Sequence, residues 1–232
     1  MKVVVLSYSG NVGKSTISHA LLSSRIPAPV YAVETINSDG TDLAGVKGKE
    51  FAALHEELLA ETAAVVDVGA SNVESALITM RKYPGWAADY DFFVVPTTPA
   101  KKQQRDTVST IEELASLGVP PEKIRLIMNM VDLDDEPEVV FSSLFDYARK
   151  HRRFKLRPDA VIRLNEAFTR AKSSGANLSD LASDPTDWKA KIAAATTQEE
   201  KLEAAAALSM KRLASGVTME LDRVFATLFA TA

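Results

Sequence analysis

The sequence predicts an α/β fold in which a mainly parallel sheet is flanked by helices and followed by a helical C-terminal extension. Short apolar runs alternate with helical patterns over about the first 135 residues, and the connections are long enough for the right-handed crossovers that join parallel strands. Several apolar runs end in polar residues, and ligands collect at the carboxyl edge of such a sheet. We therefore expect a binding site where the strands end.

The predicted elements follow one another along the chain with few gaps. Apolar runs place strands at residues 3–6, 30–33, 63–69, 90–97 and 123–129. Helical patterns lie at residues 17–24, 51–61, 73–82, 101–117 and 164–171, and residues 178–188 indicate short turns. The last helix, residues 198–229, has one continuous apolar stripe that is expected to pack on the sheet or on a partner subunit, and it could be interrupted near Gly216.

Length and composition are those of a soluble globular protein. The chain has 232 residues, 46% hydrophobic and 25% charged, with a net charge of −4. This length fits a single domain spanning residues 1–232, with residues from about 160 to 232 as its helical part. The acidic balance does not indicate general nucleic-acid binding. The absence of cysteine, of a signal-peptide pattern and of a membrane-spanning apolar stretch leads us to expect a cytoplasmic protein.

The first strand leads into Ser-Tyr-Ser-Gly-Asn-Val-Gly-Lys-Ser-Thr at residues 7–16, which indicates a phosphate-binding loop that opens a helix. Glycines at Gly10 and Gly13 let the backbone N–H groups turn toward phosphate oxygens. The N-terminus of the following helix adds a partial positive charge. This order of strand, loop and helix is the context in which the motif binds nucleotides.

Three side chains of the loop have expected roles. Lys14 would reach the β- and γ-phosphates, the Ser15 hydroxyl would bind Mg²⁺, and Thr16 would bind a further phosphate oxygen. The pattern departs from G-x-x-x-x-G-K-[ST], because Tyr8 occupies the first glycine position. The alternative is a glycine turn between a strand and a helix that binds no ligand.

Asp67 lies at the end of an apolar run that predicts a fully buried strand. A carboxylate at that position beside a phosphate loop is suited to hold Mg²⁺, usually through its water shell. We therefore assign Asp67 and Ser15 to the metal. The alternative is a turn-forming aspartate ahead of Gly69.

Asn129 ends the strand predicted at residues 123–129, at the edge where a nucleotide base would lie if phosphates occupied the loop. The sequence Asn-Met-Val-Asp at residues 129–132 also has the outline of the guanine-reading motif N-K-x-D, with Met130 in place of lysine. Both ATP and GTP are therefore candidates for the bound nucleotide, and we prefer ATP. An asparagine that merely ends a strand is the third possibility.

One dense basic run interrupts the acidic chain at residues 149–157, with Phe154 inside it. Its cations could contact DNA phosphates without sequence preference, or they could form a solvated helix end. The residues assigned to the DNA contact are Arg149, Lys150, Arg152, Arg153 and Lys155.

On these motifs the chain resembles the MinD/ParA group of P-loop ATPases, and more closely the StbB-like plasmid stability proteins. The resemblance rests on S-G-N-V-G-K-S-T in the loop, V-V-D-V-G-A-S-N-V-E at residues 65–74, F-F-V-V-P-T-T-P at residues 92–99 and the strand ending at Asn129. It implies a P-loop NTPase fold that binds ATP or ADP with Mg²⁺. The implied nucleotide-binding residues are Gly10, Asn11, Val12, Gly13, Lys14, Ser15, Thr16 and Asn129.

The resemblance also implies an ATP-driven dimerisation switch, in which two subunits enclose two nucleotides and hydrolysis separates them. StbB-like proteins act in plasmid stability, positioning and conjugative transfer in the bacterial cytoplasm. Their implied partner is a small plasmid-encoded DNA-binding protein, StbA.

The chain departs from the family pattern inside the loop. Ser9 replaces a signature lysine, and Asn11 replaces the second glycine. The signature lysine reaches the phosphates of the partner subunit, so dimerisation or hydrolysis is expected to be weaker here unless another base substitutes. Lys101, Lys102 and Arg105 are candidates, and the sequence does not choose among them.

Hydrolysis in the family also needs a carboxylate that orients the attacking water, placed after the second strand. Glu34 and Asp39 lie in the matching region without the D-x-D-P string of the family, and Glu34 is our choice. With Lys14 and Asp67 it completes the implied catalytic set. Two other functions stay open: a nucleotide-binding scaffold with little turnover, and a metabolic P-loop enzyme such as a small-molecule kinase.

Overall fold

The computed structural model describes residues 1–33 and 43–230. Its strands are β1 (Lys2–Val5), β2 (Val30–Val33), β3 (Ala64–Val68), β4 (Phe92–Thr97), β5 (Ile124–Val131) and β6 (Val161–Arg163). The six strands form one sheet in the order β2-β3-β1-β4-β5-β6, and every neighbouring pair is parallel. The predicted α/β fold with a parallel sheet is therefore confirmed.

Helices connect the strands and follow the sheet. The first is α1 (Lys14–Thr16), which continues as a π-helical segment over Ile17–Ser23. The others are α2 (Leu43–Ala60), α3 (Val73–Arg81), α4 (Lys101–Ser116), α5 (Pro137–Val140), α6 (Ser142–His151), α7 (Glu166–Ser174), α8 (Leu178–Ser183), α9 (Trp188–Ala194) and α10 (Gln198–Phe229).

The register of the sheet brings the carboxyl ends of its central strands together. Val5 of β1 pairs with Asp67 of β3 on one side and with Val94 of β4 on the other. Farther along, Thr97 of β4 pairs with Met128 of β5. The polar residues that follow these positions therefore share one edge of the sheet.

Both faces of the sheet are buried at its central strands β1, β3 and β4, as is usual for parallel strands, whereas the edge strand β2 is less buried. Side chains alternate between the faces. Val4, Val66 and Phe93 lie on the face whose buried cluster includes side chains of α2, α3, α4 and α6. Val3 and Val5 point to the opposite face and are equally buried, and the segment that continues α1 contacts β3.

The chain divides into two compact units, one of Met1–Leu164 together with the end of the chain from Val224, the other of Asn165–Arg223. In the first unit, two arginines hold the end of α10. Arg125 Nε donates to Leu228 O at 2.7 Å, and Arg157 Nη2 donates to Ala230 O at 2.8 Å. The last carbonyls of a helix have no donor within the helix, and cations favour that end.

The second unit contains α7, α8, α9 and most of α10. The side chains of Asn165, Asn177 and Asp187 each accept a hydrogen bond from a backbone N–H in the first turn of α7, α8 and α9. Thr197 and Glu200 form a reciprocal capping box at the start of α10. The start of each helix in this unit is therefore determined by a residue whose side chain caps the first turn.

Several sequence predictions need correction. Strand β6 was not predicted, and residues 178–188, expected to be turns, contain α8 and the start of α9. Helix α10 runs through Gly216 without a break. Of its predicted stripe, Val224 and Leu228 are buried, whereas Leu202 is 61% exposed. That residues 1–232 act as one domain stays a prediction.

Candidate functional site

The loop at residues 7–13 joins the end of β1 to the start of α1. Gly13 has φ +85° and Asn11 has φ +56°, so both adopt the left-handed conformation. Asparagine tolerates this conformation better than other residues with a side chain, which explains how Asn11 can stand where the family has glycine. The first helical hydrogen bond runs from Ile17 N–H to Gly13 O at 2.9 Å, so the N–H groups of Lys14, Ser15 and Thr16 have no acceptor within the helix.

The Lys14 ammonium lies inside the loop. Its Nζ donates to Ser9 O at 2.8 Å and to Ser7 O at 3.4 Å, and the residue is only 8% exposed. Burial lowers the pKa of Lys14, and the charge of Asp67 opposes this effect. A buried cation whose ligands are neutral carbonyls is poised to accept an anion.

Asp67 is held at the sheet edge by the register of β3. It pairs with Val5, the last residue of β1, directly before the loop begins. It is 6% exposed, and its charge acts on Lys14. The structure thus brings together the two charged residues that the sequence assigned to the phosphates and the metal.

Asn129 on β5 reaches across to the loop. Its Nδ2 donates to Val12 O at 2.9 Å, and both residues are buried. This contact fixes the residue type at Gly13, because a Cβ there would lie 2.2 Å from Asn129 Nδ2. Strand β5 continues to Val131, so the prediction that it ends at Asn129 is wrong, and Asn129 holds the loop from one side.

Helix α4 holds the loop from the other side. The Tyr8 N–H donates to Thr110 Oγ1 at 3.2 Å, and the Ser9 hydroxyl donates to Asp106 Oδ2 at 2.5 Å. Lys102 Nζ donates to the same Asp106 oxygen at 3.2 Å. Ser9 stands where the family has its signature lysine. Its hydroxyl is bonded to Asp106, and Asp106 is in turn bonded to Lys102.

The other predicted site residues have different placements. Gly10, Ser15 and Thr16 are exposed at the loop and the first turn of α1. Glu34, chosen as the catalytic carboxylate, and Asp39 lie outside the described residues. In the part that is described, no group of three or more acidic or histidine side chains could hold a metal ion.

The basic run surrounds the end of α6. Arg149 pairs with Asp146, Arg153 Nε lies 3.7 Å from Glu112 Oε2, and Arg152 is the left-handed residue that ends the helix. The helix dipole favours cations at a helix C-terminus, so the basic residues in the last turn of α6 stabilise the helix without any ligand. The DNA contact, which includes Lys150 and Lys155, stays a prediction.

Sequence reasoning missed Asp106 and Thr110. Their contacts with the loop join positions about a hundred residues apart, so no local motif contains both partners. The only local signal is that α4 places polar residues, among them Gln104, Thr107 and Thr110, at buried positions. Buried polar groups need partners, so such a helix face is a place to expect side-chain bonds.

No helix in the described residues combines the length and apolar character needed to cross a membrane. No protein-family model matches the sequence, and no curated protein matches it significantly.

Solved structures do match the fold. Cyanothece McdA, as an aspartate-to-alanine variant in complex with ATP, is 14% identical with a TM-score of 0.50, covering 95% of this chain and 96% of that chain. Apo McdA of Cyanothece is 13% identical with a TM-score of 0.53, covering 89% and 98%. The MinD cell division protein of Aquifex aeolicus is 12% identical with a TM-score of 0.49, covering 96% and 95%.

The comparison with McdA shows the fold that this chain shares with it. At 13–14% identity, this likeness concerns the fold alone. The fold shared with McdA is a parallel sheet flanked by helices with a helical C-terminal part, which is the fold class that the sequence predicts.

Proposed function

We propose that this protein is a Mg²⁺-dependent switch of the ParA type that binds and hydrolyses ATP. The observation that carries the proposal is the position of Lys14, whose ammonium lies buried against carbonyls of a loop that opens a helix, with Asp67 beside it. In such a loop the lysine binds the β- and γ-phosphates. Phosphate oxygens would replace the carbonyls of Ser7 and Ser9 as its ligands.

The residues present fit a magnesium ion. Mg²⁺ is usually held by one or two carboxylates together with phosphate oxygens and water, and Asp67 is a buried carboxylate at this edge. Asp67 and the Ser15 hydroxyl would hold the ion. The ion would supply positive charge that neutralises the phosphates during transfer.

We prefer adenine to guanine as the base, with Asn129 as the residue that would contact it. One N–H of Asn129 Nδ2 donates to Val12 O, which leaves the second N–H as a donor and Oδ1 as an acceptor, so this bond alone does not choose between the bases. The preference rests on the family resemblance and on Met130, which stands where the guanine-reading motif N-K-x-D has lysine. We therefore propose ATP and ADP as the nucleotides.

The remaining parts of the proposal extend the resemblance. Glu34 would orient the attacking water, and the ATP-bound form would be a homodimer. The cycle would serve plasmid stability, positioning and conjugative transfer in the bacterial cytoplasm, with an StbA-like DNA-binding partner. The basic run at residues 149–157 would add a nonspecific DNA contact whose affinity falls with salt.

Light scattering tests the switch. We expect a monomer without nucleotide and with MgADP, and a dimer with Mg²⁺ and a slowly hydrolysed ATP analogue. Lys14→Ala should stay monomeric under all three conditions. A wild-type protein that binds the analogue and remains monomeric would contradict the switch.

A second candidate is a nucleotide-binding scaffold with little turnover. It is favoured by the Ser9 hydroxyl, which is occupied by Asp106 at the position where the family has a basic side chain. Steady-state phosphate release separates the two. The scaffold predicts tight ATP binding with release at the level of Lys14→Ala, and the switch predicts release above that level.

A further inference from the structure

Ser9 connects two lysines that belong to different elements. Its carbonyl accepts from Lys14 Nζ at 2.8 Å, and its hydroxyl donates to Asp106 Oδ2 at 2.5 Å. The same carboxylate oxygen accepts from Lys102 Nζ at 3.2 Å. A continuous polar path therefore runs from the buried ammonium in the loop to an ammonium on the first turn of α4.

Asp106 is ionised at neutral pH. The hydrogen bond from Ser9 is the largest influence lowering the pKa of Asp106, burial opposes it, and the bond and charge of Lys102 and the charge of Arg105 lower the pKa further. A lone carboxylate beside the loop would repel phosphate. The Lys102 ammonium balances that charge, so the acid can anchor the loop without opposing an anionic ligand.

Lys102 differs from its basic neighbours on α4 because it is hydrogen-bonded to Asp106. Lys101 and Arg105 are also exposed on α4, but among the described residues the hydrogen-bonded cation of Asp106 is Lys102. The Lys102 side chain is 73% exposed. The Lys102 ammonium has three N–H donors, so it can keep its bond to Asp106 and also donate to a second anion.

We propose that Lys102, positioned by Asp106 and Ser9, is a second phosphate-binding cation of this site and acts on the terminal phosphate. The inference rests on the proposed nucleotide-binding function. The Lys14 ammonium marks the β- and γ-phosphate end of a phosphate loop, and Ser9 touches that ammonium. The path from Ser9 to Lys102 therefore begins beside the expected position of the γ-phosphate, the group that ATP has and ADP lacks.

Calorimetric titration of the full chain with a slowly hydrolysed ATP analogue and with ADP, each with Mg²⁺ at fixed ionic strength, tests the proposal. We expect Lys102→Ala to weaken binding of the analogue about tenfold, the effect of losing one charge-assisted hydrogen bond, and to change ADP binding much less. Lys101→Ala is the matched control, because it removes the same charge one residue away. Equal effects of the two variants, or equal weakening of analogue and ADP, would overturn the proposal.

Ser9→Ala tests whether Lys102 acts through the path. In the Ser9→Ala protein, Asp106 has lost its anchor on the loop, so adding Lys102→Ala should change analogue binding less than it does in the wild type. Strictly additive effects of the two substitutions would show that Lys102 acts independently of Ser9 and would overturn the positioning role. Thermal melts of each variant establish that the proteins compared are folded.

Lys14→Ala separates failure of this inference from failure of the proposed function. If the wild type binds neither nucleotide, the proposed function fails and the inference falls with it. If the wild type binds both, Lys14→Ala binds neither, and Lys102→Ala behaves like Lys101→Ala, then only the role of Lys102 is wrong.

Discussion

The two ends of the phosphate loop are attached by bonds of different character. At Val12, strand β5 supplies Asn129, which is neutral and only 5% exposed. At Ser9, helix α4 supplies Asp106, which is charged, 28% exposed at its side chain and paired with a lysine. One end is a buried neutral clamp, and the other is a charged bond within reach of water.

Because of this difference, we expect one bond to stabilise the conformation of the loop and the other to affect ligand binding. When a buried neutral bond is lost, no water replaces it and the unpaired group costs free energy. When a partly exposed charged bond is lost, water substitutes, and the main change is in local charge. We therefore expect the Asn129 end to control whether the loop forms and the Ser9 end to control which anion it prefers.

Gly13→Ala should break the buried end with the largest effect. The new Cβ would lie 2.2 Å from Asn129 Nδ2, and φ at this position is +85°. We expect a loss of about 2–4 kcal/mol in the free energy of unfolding, measured by denaturant titration, from the left-handed backbone and the overlap together.

Gly10→Ala is the matched control for that substitution. A Cβ at Gly10 would meet no atom within 4 Å. Its effect on stability should stay within about 0.5 kcal/mol. Equal losses for the two alanine variants would contradict the clamp at Gly13.

Asn129→Ala should have the next largest effect. It leaves the buried Val12 carbonyl without its donor, which should cost about 1–3 kcal/mol of unfolding free energy. It also removes the amide that excludes a side chain at Gly13. Adding Gly13→Ala to Asn129→Ala should therefore cost less than Gly13→Ala does alone, and additive costs in this double-mutant cycle would show that the two residues do not interact.

Ser9→Ala should have the smallest effect on stability, about 0.5–1.5 kcal/mol for one hydrogen bond to a partly exposed partner. The cost should depend on pH. Because the Ser9 bond depresses the folded-state pKa of Asp106, its charge-dependent contribution is present above the ordinary pKa of an aspartate and is lost as the pH falls through the folded-state value.

Denaturant titrations of wild type and Ser9→Ala at neutral and strongly acidic pH measure this dependence. The difference between the two proteins should shrink in acid. A difference that stays constant across the range would mean that Ser9 does not interact with an ionised Asp106.

The sequence predicted the elements whose residues form a clear apolar run or period within one short segment of the chain. Strands β1 to β5 are apolar runs, and the sequence placed β2 at its observed bounds and the other four to within two residues. Strand β6 has only three residues, and its place beside β5 depends on pairing between distant segments. Helices α8 and α9 have six and seven residues, too few for a clear apolar period, although Asn177 and Asp187 were cap signals that could have located their starts.

The same distinction applies to the candidate site. Lys14 was identified because the loop motif is contiguous, and Asp67 because it ends an apolar strand. The structure places the two residues within electrostatic reach of each other. The bond from Asn129 to Val12 and the bond from Ser9 to Asp106 span 117 and 97 positions, so neither could be predicted before the sheet order was known.

The most direct test of the central claim is a calorimetric titration of MgATP into the wild type, Lys14→Ala and Lys123→Ala. Lys123 is a suitable control, because its ammonium also donates to backbone carbonyls, of Ala87 and Tyr90, at the start of β5 away from the loop. We predict that the wild type and Lys123→Ala bind MgATP with similar affinity and that Lys14→Ala does not bind it. Binding by a folded Lys14→Ala protein at wild-type affinity would contradict the assignment of residues 7–16 as the phosphate-binding loop.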